Sequence, residues 1–173
     1  EKNIVEIYVR KDRGKVLKLN DFSVPPDDTD LNCDILSSGS PCNILLYGIA
    51  GTAKTEYARS IAAKCSDNVY HLRYGESETG SRGSRGRSFD SRLIALRVAI
   101  NTVSANGGIL IVDEADFLLN TFSYFFSSDK PEKGWLNDLL DNSKARIIWI
   151  TNRIGEMEES TLRRFSYSLC FKN

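Results

Sequence analysis

The residues with the clearest chemical potential lie in the stretch LLYGIAGTAKTE, Leu45 to Glu56. This stretch nearly matches the phosphate-binding pattern G-x-x-x-x-G-K-[ST], with Gly48 at its start and Ala53 where the pattern has its second glycine. In such a loop Lys54 would bind the β and γ phosphates as a point charge, and the Thr55 hydroxyl would ligate Mg²⁺. The alternative is a glycine-rich turn followed by an ordinary lysine.

Ala53 is the one departure from that pattern. Phosphate loops need glycine where φ is positive or where a Cβ atom would collide with phosphate oxygens, and Gly48 and Gly51 meet this need. Alanine at positive φ costs on the order of 1 kcal/mol. We therefore expect Ala53 to lower nucleotide affinity about five- to tenfold without abolishing the site.

Further polar residues follow two apolar segments, Ile109 to Asp113 and Arg146 to Thr151. If both segments are parallel strands, Asp113, Glu114 and Asn152 emerge at the carboxyl edge of the sheet, where ligands bind in open α/β folds. Asp113 could then hold the Mg²⁺ shell and Glu114 could act as general base. Asn152 could contact the γ-phosphate or orient the attacking water. The alternatives are a solvated acidic strand end and an ordinary turn residue.

Regular elements must position these side chains. Short apolar runs rich in branched residues predict buried parallel strands, with two weaker strands beside them. The five predicted strands are Asn43–Tyr47, Val69–Tyr74, Ile109–Asp113, Arg146–Thr151 and Tyr167–Phe171. Helical periodicity covers Lys54–Cys65, Phe89–Ala105, Glu132–Leu140 and Glu158–Arg164. Strands that alternate with helices predict a doubly wound α/β sheet with right-handed crossovers.

The N-terminal segment has a different pattern. Ile4–Arg10 and Lys15–Leu19 flank the sequence KDRG, which predicts a β-hairpin that turns at Gly14. The following SVPPDDTD predicts a loop, because paired prolines and aspartates resist both helix and strand. We therefore expect residues 1–30 to form a hairpin and linker, and residues 31–173 to form the α/β domain.

Composition limits the classes of function. A chain of 173 residues with 41% hydrophobic residues has the size and apolar content of one domain. The 23 basic and 23 acidic residues balance, so overall charge does not favour a polyanionic partner. No apolar run is long enough to span a bilayer. The cysteines lack metal-binding spacing, which predicts free thiols in a reducing cytoplasm: Cys33, Cys42, Cys65 and Cys170.

The motifs GIAGTAKT, ILIVDE, ITN and LRRF, in this order, closely resemble the nucleotide-binding domain of the AAA+ ATPases from about residue 43 to residue 171. The resemblance implies that Asp113 and Glu114 form Walker B and that Asn152 is sensor 1. It implies a Walker A loop that binds ATP with Mg²⁺ through Gly48, Ile49, Ala50, Gly51, Thr52, Ala53, Lys54, Thr55 and the adjacent Glu56.

The resemblance also gives the arginine pair in STLRRF a role. Arg163 and Arg164 match the position of arginine fingers, which reach the ATP of a neighbouring subunit and neutralise charge on the transferred phosphoryl group. The alternative is a basic helix end that interacts favourably with the dipole of its own helix.

The implied fold is a P-loop NTPase three-layer sandwich with a parallel five-stranded sheet of order 5-1-4-3-2. The implied assembly is a ring, commonly a hexamer, with ATP between subunits. The family's helical lid would begin after Phe171, so we expect residues 1–173 alone to bind nucleotide weakly and to hydrolyse it poorly.

The predicted function is Mg²⁺-dependent ATP hydrolysis that drives remodelling of a protein or other macromolecular client. Two alternatives stay open. Ala53 favours a nucleotide-binding switch with little hydrolysis. The loop GESETGSRGSRGRS contains Arg82, Arg85 and Arg87, which could contact phosphates as in a DNA-associated loader or initiator. The same loop has no aromatic residue at its tip, so the sequence does not support a loop that threads protein.

Overall fold

A computed structural model of the chain describes residues 7–74, 85–119 and 134–172, and for residues 85–90 it describes the backbone alone. The strands are Val9–Lys11 (β1), Cys42–Gly48 (β2), Val69–Leu72 (β3), Ile109–Val112 (β4), Arg146–Thr151 (β5) and Tyr167–Phe171 (β6). The α-helices with bounds in the described residues are Pro26–Ser37 (α1), Lys54–Cys65 (α2), Arg85–Ala105 (α3), Asp116–Leu119 (α4), Gly134–Asn142 (α5) and Glu159–Leu162 (α6).

The strands form one mixed sheet of order β1-β3-β4-β5-β2-β6. Its five parallel strands, β2 to β6, follow the predicted order, and the predicted fold class is confirmed. The full sheet differs from the prediction by its sixth strand, β1, which is antiparallel to β3 at the sheet edge. Parallel strands are buried on both faces, which is why β4 reads as the continuous apolar run ILIV.

Helices cover both faces of the sheet and make three layers. Alternate residues of β4 point to opposite faces, so Leu110 and Val112 pack with α3 and α5, while Ile109 and Ile111 pack with α1 and α2. The fully buried Trp149 on β5 belongs to the first of these two cores. Within the described ranges, no helix combines the length and apolar character needed to cross a membrane.

The predicted hairpin is wrong in the described residues. Lys15–Leu19 contains no strand, and β1 pairs with β3 instead, with Val9 opposite Leu72. The reason is a cluster of polar contacts to α2. Asp12 accepts hydrogen bonds from Arg59 at 2.6 and 3.1 Å, and Arg59 also donates to the Lys15 carbonyl at 3.3 Å. These contacts hold the chain after β1 against α2 and prevent it from returning along β1.

The predicted loop SVPPDDTD is also wrong, because α1 begins inside it at Pro26. Proline is well suited to the first helical position, where its missing N–H has no acceptor within the helix. Asp27 and Asp28 in the first turn interact favourably with the helix dipole. The backbone of α1 continues across residue 30, where we predicted the linker to end, and Leu36 is fully buried against the sheet.

Candidate functional site

The loop between β2 and α2 is shaped by two glycines. Gly48 has φ +142°, and a Cβ atom there would lie 2.2 Å from the carbonyl oxygen of Phe171 on the adjacent β6. Gly51 has φ +82° with open space around it. Glycine at Gly48 is therefore required by both conformation and packing, whereas at Gly51 it is required by conformation alone.

Ala53 lies at the N-cap of α2 with φ +58° and ψ 19°, so the alanine does adopt the left-handed conformation that the loop pattern predicts. No side chain caps the helix. The N–H groups of Lys54, Thr55 and Glu56 open the helix, and the first N–H groups of any helix lack acceptors within it. Such an uncapped N-terminus favours an anion, and phosphate is its usual ligand.

The Lys54 ammonium is folded back onto the loop. Its Nζ donates to the carbonyls of Gly48 at 3.0 Å and Ile49 at 2.6 Å and to Thr52 Oγ1 at 3.1 Å. Lys54 is only 5% exposed, and this burial lowers its pKa, although the nearby Asp113 and Asp116 oppose the shift. Phosphate oxygens would offer this buried cation charged acceptors, which bind more strongly than carbonyls.

The remaining loop residues are placed differently. Ile49 is 53% exposed and Ala50 is also exposed, while Thr52 Oγ1 donates to the Ile49 carbonyl at 2.8 Å. The Glu56 carboxylate accepts two hydrogen bonds from Arg59, at 2.8 and 3.0 Å. Glu56 can therefore meet a phosphate through its backbone N–H, and its side chain belongs to the Arg59 cluster.

Thr55 and Asp113 are joined across the site. Thr55 Oγ1 donates to Asp113 Oδ2 at 2.8 Å, which connects the start of α2 to the end of β4. A hydroxyl and a carboxylate so close together fit Mg²⁺, which takes oxygen ligands and is usually held by one or two carboxylates plus substrate phosphates and water. The other oxygen, Asp113 Oδ1, accepts from the Glu114 N–H at 2.8 Å and so fixes the carboxylate.

Glu114 has an unusual backbone for a non-glycine residue, with φ +49°. Its side chain is exposed, and the following Ala115 N–H donates to the Ile150 carbonyl of β5 at 2.9 Å. A left-handed residue costs roughly 1–2 kcal/mol and persists where the surrounding structure fixes it. The turn after β4 therefore leaves the Glu114 carboxylate exposed at the end of the strand.

Asp116 is a candidate site residue that the sequence motifs did not single out. Its Oδ1 accepts from Thr151 Oγ1 at 2.6 Å and from the Asn152 N–H at 3.1 Å. Thr151 is fully buried, and Asn152 is exposed at the end of β5. Asp116 thus fixes the position of Asn152 relative to the acidic turn. The signal was present in the sequence VDEAD, whose third acidic residue had no assigned role.

The two arginines that follow α6 differ in environment. Arg164 donates to Asp141 Oδ2 at 2.9 Å and to the Ser160 carbonyl. Arg163 pairs with Glu159 one turn earlier, and its side chain is 73% exposed. Neither residue is bonded to Lys54, Thr55 or Asp113 in the described part of the chain, so the pair is not brought into this chain's own loop site. Arg163 has the greater freedom to meet a neighbouring molecule.

The arginines of the basic loop fall outside what the structure describes. Arg82 lies in the range 75–84, and Arg85 and Arg87 open α3 with backbone alone described. Their proposed role in phosphate contact therefore stays a prediction.

A phosphate-type loop that leads from a buried central strand into a helix, within this strand order, defines a P-loop NTPase. The chain belongs to the AAA family: residues 44–173 match the family model described as "ATPase family associated with various cellular activities (AAA)". No match was found among the curated proteins searched.

Solved structures agree with this fold. One is the AAA-containing complex described as "E. coli MS115-1 HORMA:CdnC:Trip13", matched at 15% identity and TM-score 0.64 over 100% of this chain and 72% of the other. Another is the FIGL-1 AAA domain, matched at 18% identity and TM-score 0.59 over 99% of this chain and 61% of the other. At these identities the likeness establishes the fold alone.

Proposed function

We propose that this AAA domain binds ATP and hydrolyses it with Mg²⁺. The observation that carries the proposal is the 2.8 Å hydrogen bond between Thr55 and Asp113, which joins the phosphate loop to the acidic turn. Lys54 and the first N–H groups of α2 would hold the β and γ phosphates, and Thr55 and Asp113 would hold Mg²⁺. The chemistry that Mg²⁺ would supply there is neutralisation of the charge that develops on the phosphates.

Hydrolysis requires an activated water beside the γ-phosphate. Glu114 is the proposed general base, because its exposed carboxylate follows the metal-binding Asp113 directly. Asn152 orients the water or the γ-phosphate from the end of β5. Asp116 keeps Asn152 at a fixed position relative to the acidic turn through its bonds to Thr151 and to the Asn152 N–H.

ATP turnover by the full-length protein tests this proposal. Glu114→Gln keeps the size of the side chain and removes the base, so it is expected to lower kcat at least about a hundredfold while ATP binding is retained. Asp67→Asn, which removes an exposed carboxylate before β3, is the matched control and is expected to leave turnover unchanged. Turnover that is the same in wild type and Glu114→Gln contradicts the proposed mechanism.

A second candidate function is a nucleotide-binding switch with little hydrolysis. The φ of +58° at Ala53 favours it, because the methyl group occupies a position that phosphate loops keep free. ATP binding by the wild type without turnover, and with no further loss in Glu114→Gln, would support the switch over the hydrolase.

We also propose that the ATPase works in a ring and remodels a macromolecular client. The exposed Arg163 supports the ring, because an arginine that supplies charge to a neighbour's ATP must be free to leave its own surface. The fold of this chain is similar to the structure that contains Trip13 and a HORMA protein, and this similarity supports a protein as the client. The Arg-rich loop supports the alternative of DNA, which salt-sensitive binding would indicate.

A further inference from the structure

Two cysteines meet where α1 packs against α2. The thiol of Cys65, the last residue of α2, donates to the backbone carbonyl of Cys33 on α1 at 3.8 Å. Nearer the start of both helices, the Tyr57 hydroxyl donates to Thr29 Oγ1 at 3.4 Å. The helix pair is therefore held at two points, and its packing brings Cys33 and Cys65 into contact although 32 positions separate them in the sequence.

The two thiols differ in environment. Cys33 is buried in the core between the sheet and the helices, whereas Cys65 is half-buried and can be reached from solvent. Burial and the neighbouring Cys65 thiol, through its charge and a hydrogen bond, raise the pKa of Cys33 to about 11 against the opposing charge of Lys64. Because the thiolate is the nucleophile in disulfide exchange, attack on an external disulfide begins at the accessible Cys65.

The other two cysteines lie in different surroundings. Cys42 on β2 is buried, and this burial raises its pKa to about 11. Cys170 on β6 is exposed, and its partner in the strand register is Tyr47 of β2. The chain therefore contains one buried and one exposed thiol against which the selectivity of the Cys33–Cys65 pair can be measured.

We propose that Cys33 and Cys65 form a thiol–disulfide exchange site, at which a small-molecule disulfide such as oxidised glutathione converts the two thiols into an intramolecular disulfide. The Cys65 thiolate attacks the small disulfide, forms a mixed disulfide and releases one small thiol. The Cys33 sulfur then attacks the Cys65 sulfur, and its proton passes to the second small thiolate, which leaves. The two protein thiols are thereby oxidised, and the small disulfide is reduced to two thiols.

The new bond would close a covalent ring around the scaffold of the phosphate loop. Residues 33–65 contain the end of α1, all of β2, the loop that leads to Lys54, and all of α2. A crosslink across such a ring stabilises the folded chain chiefly by restricting the unfolded one. Lys54 and Cys65 lie at opposite ends of α2, roughly 16 Å apart along the helix axis. The bond therefore forms away from the phosphate loop and does not depend on the proposed ATPase activity.

Incubation of the full-length protein with oxidised glutathione, followed by proteolysis without reductant and mass spectrometry, tests this site. We expect a linked pair of peptides that contains Cys33 and Cys65 and has lost the masses of two hydrogens. The oxidised protein is expected to unfold at a temperature roughly 5–10 °C higher than the reduced protein, and a reductant is expected to reverse the shift.

Cysteine variants separate this pair from other thiol chemistry. In Cys33→Ala the mixed disulfide on Cys65 is expected to persist without the rise in unfolding temperature, and in Cys65→Ser the Cys33 thiol is expected to stay unmodified. Cys170→Ser is the matched control and is expected to form the Cys33–Cys65 bond as the wild type does. A mixed disulfide that persists on Cys65 of the wild type, a disulfide that uses Cys42 or Cys170 instead, or thiols that stay unmodified would each overturn the inference.

Discussion

At the scale of single residues, the Ala53 backbone adopts the left-handed conformation. Its strain is therefore present in the folded domain and opposes folding as well as nucleotide binding. The sequence predicted this strain, because a phosphate loop fixes the backbone at that position whichever residue is there. The left-handed φ of Glu114 could not be predicted, because it depends on the Ala115 bond to β5.

We therefore predict that Ala53→Gly raises the free energy of unfolding by about 1 kcal/mol and tightens nucleotide binding. Chemical denaturation and equilibrium titration with an ATP analogue measure the two effects. Ala50→Gly is the matched control in the same loop: Ala50 does not have positive φ, so glycine there is expected to lower stability. Equal effects of the two substitutions would show that the loop has relaxed around Ala53.

At the scale of elements, a cluster of charged side chains holds the N-terminal segment on α2. Arg59 bonds both Asp12 and Glu56, and His71 of β3 lies 2.9 Å from Asp12 Oδ2. The sequence did not reveal this cluster, since 47 residues separate Asp12 from Arg59. The helices α2 and α3, by contrast, were predictable because each has a long apolar face with helical spacing.

This cluster makes stability depend on pH. Hydrogen bonds from Arg59, aided by His71 and Gly14, hold the pKa of Asp12 well below its usual range. A depressed folded-state pKa means that the stabilisation is present above the unfolded pKa and is lost as the pH falls below about 4. We expect Asp12→Asn to cost about 2 kcal/mol near pH 7, and this difference from wild type to shrink below pH 4.

Denaturation curves at several pH values measure the difference between wild type and Asp12→Asn. Asp67→Asn is the control, because this exposed carboxylate has no bond in the described cluster. A difference that stays constant from neutral to acidic pH would show that the Asp12–Arg59 pair is not the source of the stabilisation.

At the scale of the whole molecule, the order of the five parallel strands was predicted by a family resemblance carried by motifs at three strand ends. The partner of β1 was not predictable, because an edge strand with only three paired residues is placed by tertiary contacts. Assembly likewise depends on surface residues, which helical and strand periodicity do not describe. The two arginines that follow α6 illustrate this, because we expect one to act on turnover and the other on stability.

We predict that Arg163→Ala lowers ATP turnover by the assembled full-length protein about a thousandfold with little loss of stability, because its side chain is exposed. Arg164→Ala is expected to act mainly on stability, since it removes bonds to Asp141 and Ser160. Arg153→Ala is the control, an arginine 67% exposed that pairs with Glu156. Turnover assays and thermal unfolding distinguish them. Normal turnover in Arg163→Ala would exclude it as the finger.

The most direct test of the proposed nucleotide site is the Mg²⁺ dependence of ATP affinity in a double-mutant cycle at Thr55 and Asp113. Isothermal titration with and without Mg²⁺ is expected to show that the ion tightens ATP binding at least about tenfold in the wild type. Thr55→Val and Asp113→Asn each lose most of this gain, and the double variant loses little more, because both residues hold one ion. A gain from Mg²⁺ that is undiminished in all three variants would contradict the account.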